Sequence, residues 1–355
     1  MAEDKKQTEA QAKAEARKKV LDGLISTVVK DFGKGALMTL TDTPTADGEA
    51  WPTGSLNLDM ILGGGVPRGK IIEVYGPEGG GKTTLCLSVL AEVQKRGGVC
   101  VYVDAEHAVD IDYAKKIGVN VDELLFNQPE YGEQGLSIAA ALIESGAVSL
   151  VVVDSVAALV PKAELEGDIG DATMALQARM MGQAMRKLKV LAAVNRCTVL
   201  FINQLREKPG MNFGGNPEYT PGGKALKFFA DVRLEIRPGE PIKQGEARIG
   251  NNIKAKTIKN KVAPPYRGTI FKIIFGEGID ALGEILEHGV ANGTIEKAGS
   301  WYSHAGQRIG QGEPVVKAWL KENVSARDQI EASIRNPKGK TPKSAPTPPE
   351  PPAQP

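Results

Sequence analysis

The sequence predicts an α/β protein built on a mostly parallel sheet, and three observations carry that expectation. From about residue 70, apolar runs of strand length alternate with helical segments. One run, Val148-Ser149-Leu150-Val151-Val152-Val153, is nearly unbroken, as in a strand covered on both faces. Between an expected strand and an expected helix lies Gly76-Pro77-Glu78-Gly79-Gly80-Gly81-Lys82-Thr83, a glycine-rich turn at a strand-to-helix junction.

In chain order, residues 9–32 read as a helix. Val20, Leu21, Leu24, Ile25, Val28, Val29 and Phe32 recur at spacings of three and four, and Gly33-Lys34-Gly35 stops the helix. Its stripe packs on the chain's own core or on a neighbouring subunit, and composition does not choose between them. Ile71–Tyr75 is a strand, followed by a helix from Lys82 to about Lys95. Val99–Asp104 is the next strand, with a helix reaching Ile117. A helix is expected over roughly Met174–Asn195 and a buried strand over Thr198–Asn203. Val232–Ile236 and Thr269–Phe275 alternate more, which predicts antiparallel additions at one edge. Residues 281–335 break into short, glycine-separated helices with Trp301 and Trp319 as anchors, a small separate α/β domain. Residues 337–355 hold eight prolines and no aromatic or branched aliphatic side chain, so a disordered tail is expected from residue 336 on.

Composition narrows the classes. The chain has 355 residues, with 44 Lys+Arg against 43 Asp+Glu. That balance excludes a globally basic, histone-like binder and a globally acidic, solvating chain, while a local basic strip stays hidden in the sum. Length suggests two to three domains, and 41% hydrophobic residues suffice for a packed core. Cys86, Cys100 and Cys197 are odd in number and lack metal-type spacing, which suits buried, reduced thiols in the cytoplasm. No stretch approaches the ~20 apolar residues of a membrane span. The polar start Met1-Ala2-Glu3-Asp4-Lys5-Lys6 lacks the apolar core of a secretory signal. A cytoplasmic protein without a membrane partner is expected.

The glycine-rich turn fits G-x-x-x-x-G-K-[ST]. Its glycines let backbone N–H groups turn inward around a phosphate chain, and the following helix start adds partial positive charge. Lys82 is expected to reach the β- and γ-phosphates of ATP, and the Thr83 hydroxyl to hold Mg²⁺. The site thus takes in Gly76, Pro77, Glu78, Gly79, Gly80, Gly81, Lys82, Thr83 and Thr84. Asp154 ends the apolar run Val151-Val152-Val153, where a buried carboxylate needs a cation or hydrogen bonds, and is the expected second Mg²⁺ group. Glu106, just past the Val99–Asp104 strand, is the expected water-positioning residue, with Asp104 as its rival. Gln204 would face the γ-phosphate from the end of Thr198–Asn203.

Two loops leave the same end of the sheet. Residues 205–223 mix Arg206 and Lys208 with Met211, Phe213 and Tyr219, which suits single-stranded nucleic acid. Pro161–Thr173 is acidic, and the helix after it carries Arg179 and Arg186. Residues 241–270 contain the hidden basic strip, seven Lys and Arg against Glu246 alone. Its Lys259 and Lys261 share one face of an expected edge strand, without a local acidic partner, and could act outside their own subunit. The competing reading is an edge strand kept from aggregating by lysines.

Together these residues resemble the bacterial RecA recombinases. The resemblance runs from Lys30-Asp31-Phe32-Gly33-Lys34-Gly35 to about residue 330. It includes Pro52-Thr53-Gly54-Ser55-Leu56, the phosphate loop, Asp104-Ala105-Glu106-His107 and Val153-Asp154-Ser155-Val156-Ala157-Ala158-Leu159. Ala178-Arg179-Met180-Met181, Phe201-Ile202-Asn203-Gln204, Lys259-Asn260-Lys261 and Gly276-Glu277-Gly278 complete it. The resemblance implies a RecA-like P-loop NTPase core over 41–279, an oligomerisation helix over 1–40 and a small domain over 280–335. It implies ATP held between protomers of a helical filament on single-stranded DNA. Pairing and exchange with double-stranded DNA, and self-cleavage of the repressor of the SOS response to DNA damage, follow from it. It also resolves the helix ambiguity in favour of the next subunit. Tyr113 would stack near adenine, and Lys259 and Lys261 would reach the neighbour's γ-phosphate. Met174 and Phe213 would lie near the bases, and Arg179, Arg186 and Arg206 would contact phosphate. Gly222 and Gly223 would join them in the second loop. Two departures stand out: that loop is one residue longer than the common pattern, and residues 336–355 carry three lysines against Glu350, where many relatives end in an acidic run. A hexameric ring helicase and a non-enzymatic nucleotide switch are the alternatives. The helicase reading is weakened because only about 40 residues precede the core, where such enzymes usually bring a large helical domain.

Overall fold

The computed structural model describes residues 2–33, 36–37, 49–168, 175–207 and 218–336. Past Asn336, the expected Pro-rich tail lies outside them. The chain divides into two units, Met1–Asp47 and Gly48–Pro355. The first holds helix α1 (Ala2–Phe32), which starts earlier than the apolar stripe predicts. On it Val20, Leu21, Leu24 and Phe32 are exposed.

In the second unit, β1 (Ala50–Trp51), α2 (Leu56–Leu62) and β2 (Val66–Pro67) come first. Strands and helices then alternate through β3 (Ile71–Gly76), α3 (Lys82–Gln94), β4 (Cys100–Asp104) and α4 (Ile111–Ile117). Next come β5 (Leu125–Asn127), α5 (Gly132–Glu144), β6 (Leu150–Asp154), the one-turn α6 (Lys162–Leu165), α7 (Leu176–Val194) and β7 (Thr198–Gln204). The short β8 (Arg206–Glu207) and β9 (Glu218–Tyr219) pair with each other ahead of α8 (Ala225–Phe229). The strands β10 (Val232–Gln244), β11 (Ala247–Asn260), β12 (Gly268–Ile274) and β13 (Gly278–Ile279) follow. The chain continues as α9 (Ala281–Asn292), β14 (Ile295–Ala298), β15 (Trp301–His304), β16 (Gln307–Gln311), α10 (Glu313–Glu322) and α11 (Val324–Arg335).

The main sheet has nine strands in the order β13-β12-β11-β10-β3-β7-β6-β4-β5. All strands from β10 to β5 are parallel, and β11, β12 and β13 are antiparallel. The expectation for Val232–Ile236 is therefore corrected: Val232–Glu235 run parallel to Ile72–Tyr75. Its alternation reflects a half-open outer face, where Arg233 and Glu235 stand, and burial of one face says nothing about strand direction. The α/β expectation itself holds, as does the antiparallel Thr269–Phe275 strand.

Both faces of the parallel part are covered, which explains its continuous apolar runs. Val74, Tyr102, Val152 and Ile202 pack with Leu85 and Val89 of α3. Val101, Val103, Val151, Val153 and Phe201 pack on the opposite side with Ile143 of α5 and Met181 and Met185 of α7. The period-two alternation of the strands sorts them. Cys86, Cys100 and Cys197 are all buried free thiols. Among the described residues, no helix is long and apolar enough to cross a membrane.

A third cluster joins Leu56 of α2 to Ile285, Leu286, Tyr302, Val316, Leu320 and Ile330. Trp319 packs against it, but Trp301 does not anchor it. Trp301 is exposed with the Arg308 guanidinium 5.0 Å from its ring centroid, and Tyr302, on the other face of β15, fills the core instead. The seam with the main sheet is polar as well. Ser55 Oγ donates to Glu284 Oε1 at 2.8 Å, and Asn57 N donates to Glu284 Oε2 at 3.0 Å. Arg335 Nη2 donates to Asp59 Oδ2 at 2.8 Å, and Thr53 Oγ1 donates to Asp59 Oδ1 at 2.8 Å. Burial pushes Asp59 up to about 6 and Glu284 up to about 7.

Candidate active site

The phosphate loop leaves β3 at the carboxyl end of the sheet, beside β7, with Gly76 paired to Gln204. Gly81 caps α3 at φ +83 without a side-chain bond. That left-handed φ favours glycine, and a Cβ there would also have to displace Ile273 Cδ1, 2.4 Å away. The first-turn N–H groups of α3 have no partner inside the helix and offer an anion site. Lys82 is buried and donates to the carbonyls of Gly76 at 3.1 Å and Pro77 at 2.7 Å. Burial draws its ammonium below the usual range.

The acidic groups come from β4 and β6, neighbours in register, so that Asp104 lies opposite Asp154. Thr83 Oγ1 donates to Asp154 Oδ2 at 3.0 Å, and the Tyr102 hydroxyl donates to the same oxygen at 2.7 Å. Burial, reinforced by Glu106 and Asp104, raises Asp154 to about 6 despite those donors. Glu106 is exposed and accepts from Ser155 Oγ at 2.5 Å and Gln204 Nε2 at 2.8 Å. Its rival Asp104 is buried and occupied: it accepts from Ala108 N, Val109 N and Gln128 Nε2. Asp104 therefore shapes the Glu106 loop, and Glu106 is the carboxylate that faces the cavity.

That cavity measures about 320 Å³ and is lined by Glu78 to Thr84, Glu106, Tyr113, Asp154 and Gln204. Tyr113 is set by the cap of α4, where Asp110 accepts from its N–H, and its hydroxyl lies 2.9 Å from Thr84 Oγ1. The lining is extended by Asn251, Ile253, Ile273 and Phe275. Sequence reading misses all four. They lie far along the chain and look like ordinary core positions of β11 and β12. No signal in the sequence singles them out: Phe275 reads as the last residue of the Thr269–Phe275 strand, and the structure leaves it exposed just past β12.

Of the expected DNA residues, Met174 and Phe213 lie outside the described residues. Arg179 and Arg186 are exposed on α7, and Arg206 is exposed in β8 just beyond Gln204. Gln177 ties the two loop bases together: it donates to Val156 O at 2.9 Å and accepts from Gly222 N at 3.1 Å. Gly222 and Gly223 have φ of +82 and +74, and a Cβ on either would meet Val156 or Ala178 at 2.7 Å. They hold the base of the second loop tightly against α7.

Lys259 and Lys261 are not brought to this cavity. Lys259 lies near the end of β11, opposite Arg233 and level with Glu73, and Lys261 lies just past β11 beside Asp231. Three to five residues of β3 separate those levels from Gly76, about 10–17 Å along the strand at ~3.3 Å per residue. Two expectations are corrected. β11 lies between β10 and β12 over Gly250–Lys256, so most of it is no edge strand, and its last residues, with Lys259, run past the β12 pairing. An acidic partner also exists: Lys261 Nζ is 3.5 Å from Asp231, whose carboxylate also pairs with Lys189. The β10–β11 pairing brings that distant aspartate alongside. Lys259 Nζ donates to the carbonyls of Lys227 and Phe228, both at 2.9 Å.

Comparison with known proteins decides the family. The model of the RecA N-terminal domain matches residues 19–280, and that of the RecA C-terminal domain matches residues 283–339. The chain belongs to the RecA family. It is 55% identical to Protein RecA of Cereibacter sphaeroides over 319 residues, 89% of this chain and 93% of the relative. Identity to Protein RecA of Caldanaerobacter subterraneus is 54% over 320 residues, covering 90% and 93%. For Staphylococcus aureus it is 52% over 320 residues, covering 90% and 92%. The chain is thus a RecA family recombinase, in the field of DNA recombination and repair. Among the described residues no cluster of three or more metal-ligating side chains exists. The donor set fits Mg²⁺ bound through one hydroxyl, one carboxylate and substrate phosphates, the usual arrangement for that ion. The glycine cradle and Lys82 fit a triphosphate.

Proposed function

We propose that this chain is a DNA-dependent ATPase that assembles as a helical filament on single-stranded DNA in the cytoplasm. There it catalyses homologous pairing with double-stranded DNA and strand exchange, and stimulates self-cleavage of the SOS repressor. The observation that carries this reading is Glu106 held by Gln204 and Ser155 at the mouth of the phosphate-loop cavity. Lys82 and the α3 N-terminus bind the phosphate chain. Thr83 and Asp154 would hold Mg²⁺, which would supply positive charge against the phosphates. Glu106 orients the attacking water and accepts its proton. Gln204 shares a hydrogen bond with Glu106 and lies two residues before Arg206, so nucleotide contact and DNA contact are joined by one short segment. The exposed stripe of α1 is assigned to the contact between protomers.

The test is ATP turnover with and without single-stranded DNA, paired with electron microscopy. Glu106→Gln is expected to bind ATP and form filaments but lose roughly 10²-fold or more in turnover. Lys82→Ala is expected to lose ATP binding and, with it, tight DNA binding. Normal hydrolysis by Glu106→Gln would remove that residue from the mechanism. Rings in place of filaments would favour the helicase.

A further inference from the structure

Tyr102 is wholly buried in β4, where phenylalanine would serve packing equally well. Its ring stacks on Phe126, with centroids 6.3 Å apart and planes inclined by 20°. The strand register places Tyr102 opposite Val152, two residues short of Asp154 on the same face of the sheet. From there its hydroxyl reaches up the sheet to Asp154 Oδ2 at 2.7 Å. This is the oxygen that also accepts from Thr83 Oγ1. A buried hydroxyl is costly without a partner, and this one has a single carboxylate as its hydrogen-bond acceptor.

We propose that Tyr102 is a positioning residue for the metal centre: its hydroxyl fixes the Asp154 carboxylate in the orientation that Mg²⁺ binding at Thr83 and Asp154 requires. The inference rests on reading the cavity as a Mg²⁺–ATP site. Magnesium tolerates little departure from octahedral geometry, so a carboxylate free to rotate binds it poorly. Loss of a partner that orients a ligating side chain typically weakens metal binding by roughly 10- to 100-fold.

The experiment titrates Mg²⁺ against binding of a fluorescent N-methylanthraniloyl ATP, without DNA and without turnover. Tyr102→Phe keeps the ring and removes only the hydroxyl. It is expected to raise the half-saturating Mg²⁺ concentration roughly 10- to 100-fold, with nucleotide affinity in EDTA unchanged. In an Asp154→Asn background the same substitution is expected to add nothing, because its route runs through that carboxylate. An unchanged Mg²⁺ midpoint would overturn the proposal. So would an equal loss of nucleotide affinity with and without Mg²⁺, a full additional effect in the Asp154→Asn background, or a Tyr102→Phe protein that no longer unfolds cooperatively. Wild-type protein without any Mg²⁺-dependent nucleotide binding would overturn the site reading itself, a pattern distinct from a defect confined to the variant.

Discussion

The two ends of the central sheet are built from similar groups with opposite surplus charge. At the carboxyl end, Glu78, Glu106 and Asp154 line a cavity in which, among the described residues, Lys82 is the only cation. At the amino end, Lys189 and Lys261 pair with one carboxylate, Asp231, and Lys259 stands nearby on backbone carbonyls. Burial lowers Lys259, and repulsion from Lys261 lowers it further. The register sets Lys259 level with Glu73 and Lys261 level with Ile71, so the two groups of charges stay apart within one chain. The difference poses a question that mixing variants can answer: whether the cations of one end complete the cradle of a neighbouring protomer.

The largest effect expected from that comparison comes from removing the lysines. A variant carrying Lys259→Ala and Lys261→Ala should lose roughly 10³-fold in DNA-stimulated turnover, the low end for a cation supplied in trans, because lysines are point charges and not forks. Mixed with a Lys82→Ala variant, it should partly recover, since about a quarter of random interfaces pair an intact loop with intact lysines. Failure to recover in demonstrated co-filaments would return the lysines to DNA binding or to their own subunit. A smaller effect sharpens the comparison from the other side. Arg206 is a cation just past the carboxyl end, exposed and outside the cavity lining. Arg206→Ala should leave ATP affinity without DNA unchanged and flatten the salt dependence of single-strand binding by about 0.7 in log–log slope. Phe213→Ala should weaken DNA binding at an unchanged slope. Equal slope changes in both variants would erase that division of labour.

Legibility in the sequence followed locality. The phosphate loop, Thr83, Asp154 and Glu106 could be read because each lies within two residues of a strand or helix end, where polarity contradicts the apolar run beside it. The wall of Asn251, Ile253, Ile273 and Phe275 could not, because pairing of β11 and β12 creates it and their alternation signals only a half-buried strand. The direction of β10 was hidden for the same reason. The Asp231 partner of Lys261 was invisible because thirty residues of hairpin separate the two. The sequence reading also passes over β5 and α5, although α5 shares with α7 the covering of one face of the sheet.

The buried carboxylates of the seam have a consequence in protons. Glu284 rises from an ordinary 4.5 to about 7, and Asp59 from 3.8 to about 6, chiefly by burial among Ser55, Asn57, Thr53 and Arg335. The native seam therefore retains protons that the same groups release when exposed. A raised carboxyl contributes stability that is present below its ordinary value and lost as pH climbs through its folded value. For Glu284 that window runs from about 4.5 to about 7 and is worth about 3 kcal/mol. His288, hydrogen-bonded to Asn57 Oδ1 and lowered by burial, works in the opposite sense. Thermal unfolding of the wild type between pH 5 and 8 should thus fall more steeply than that of Glu284→Gln, and parallel curves would deny the carboxyl this part. Pulling the residues after Asp280 away from α2 would then be an acid-releasing event, favoured as the medium turns alkaline.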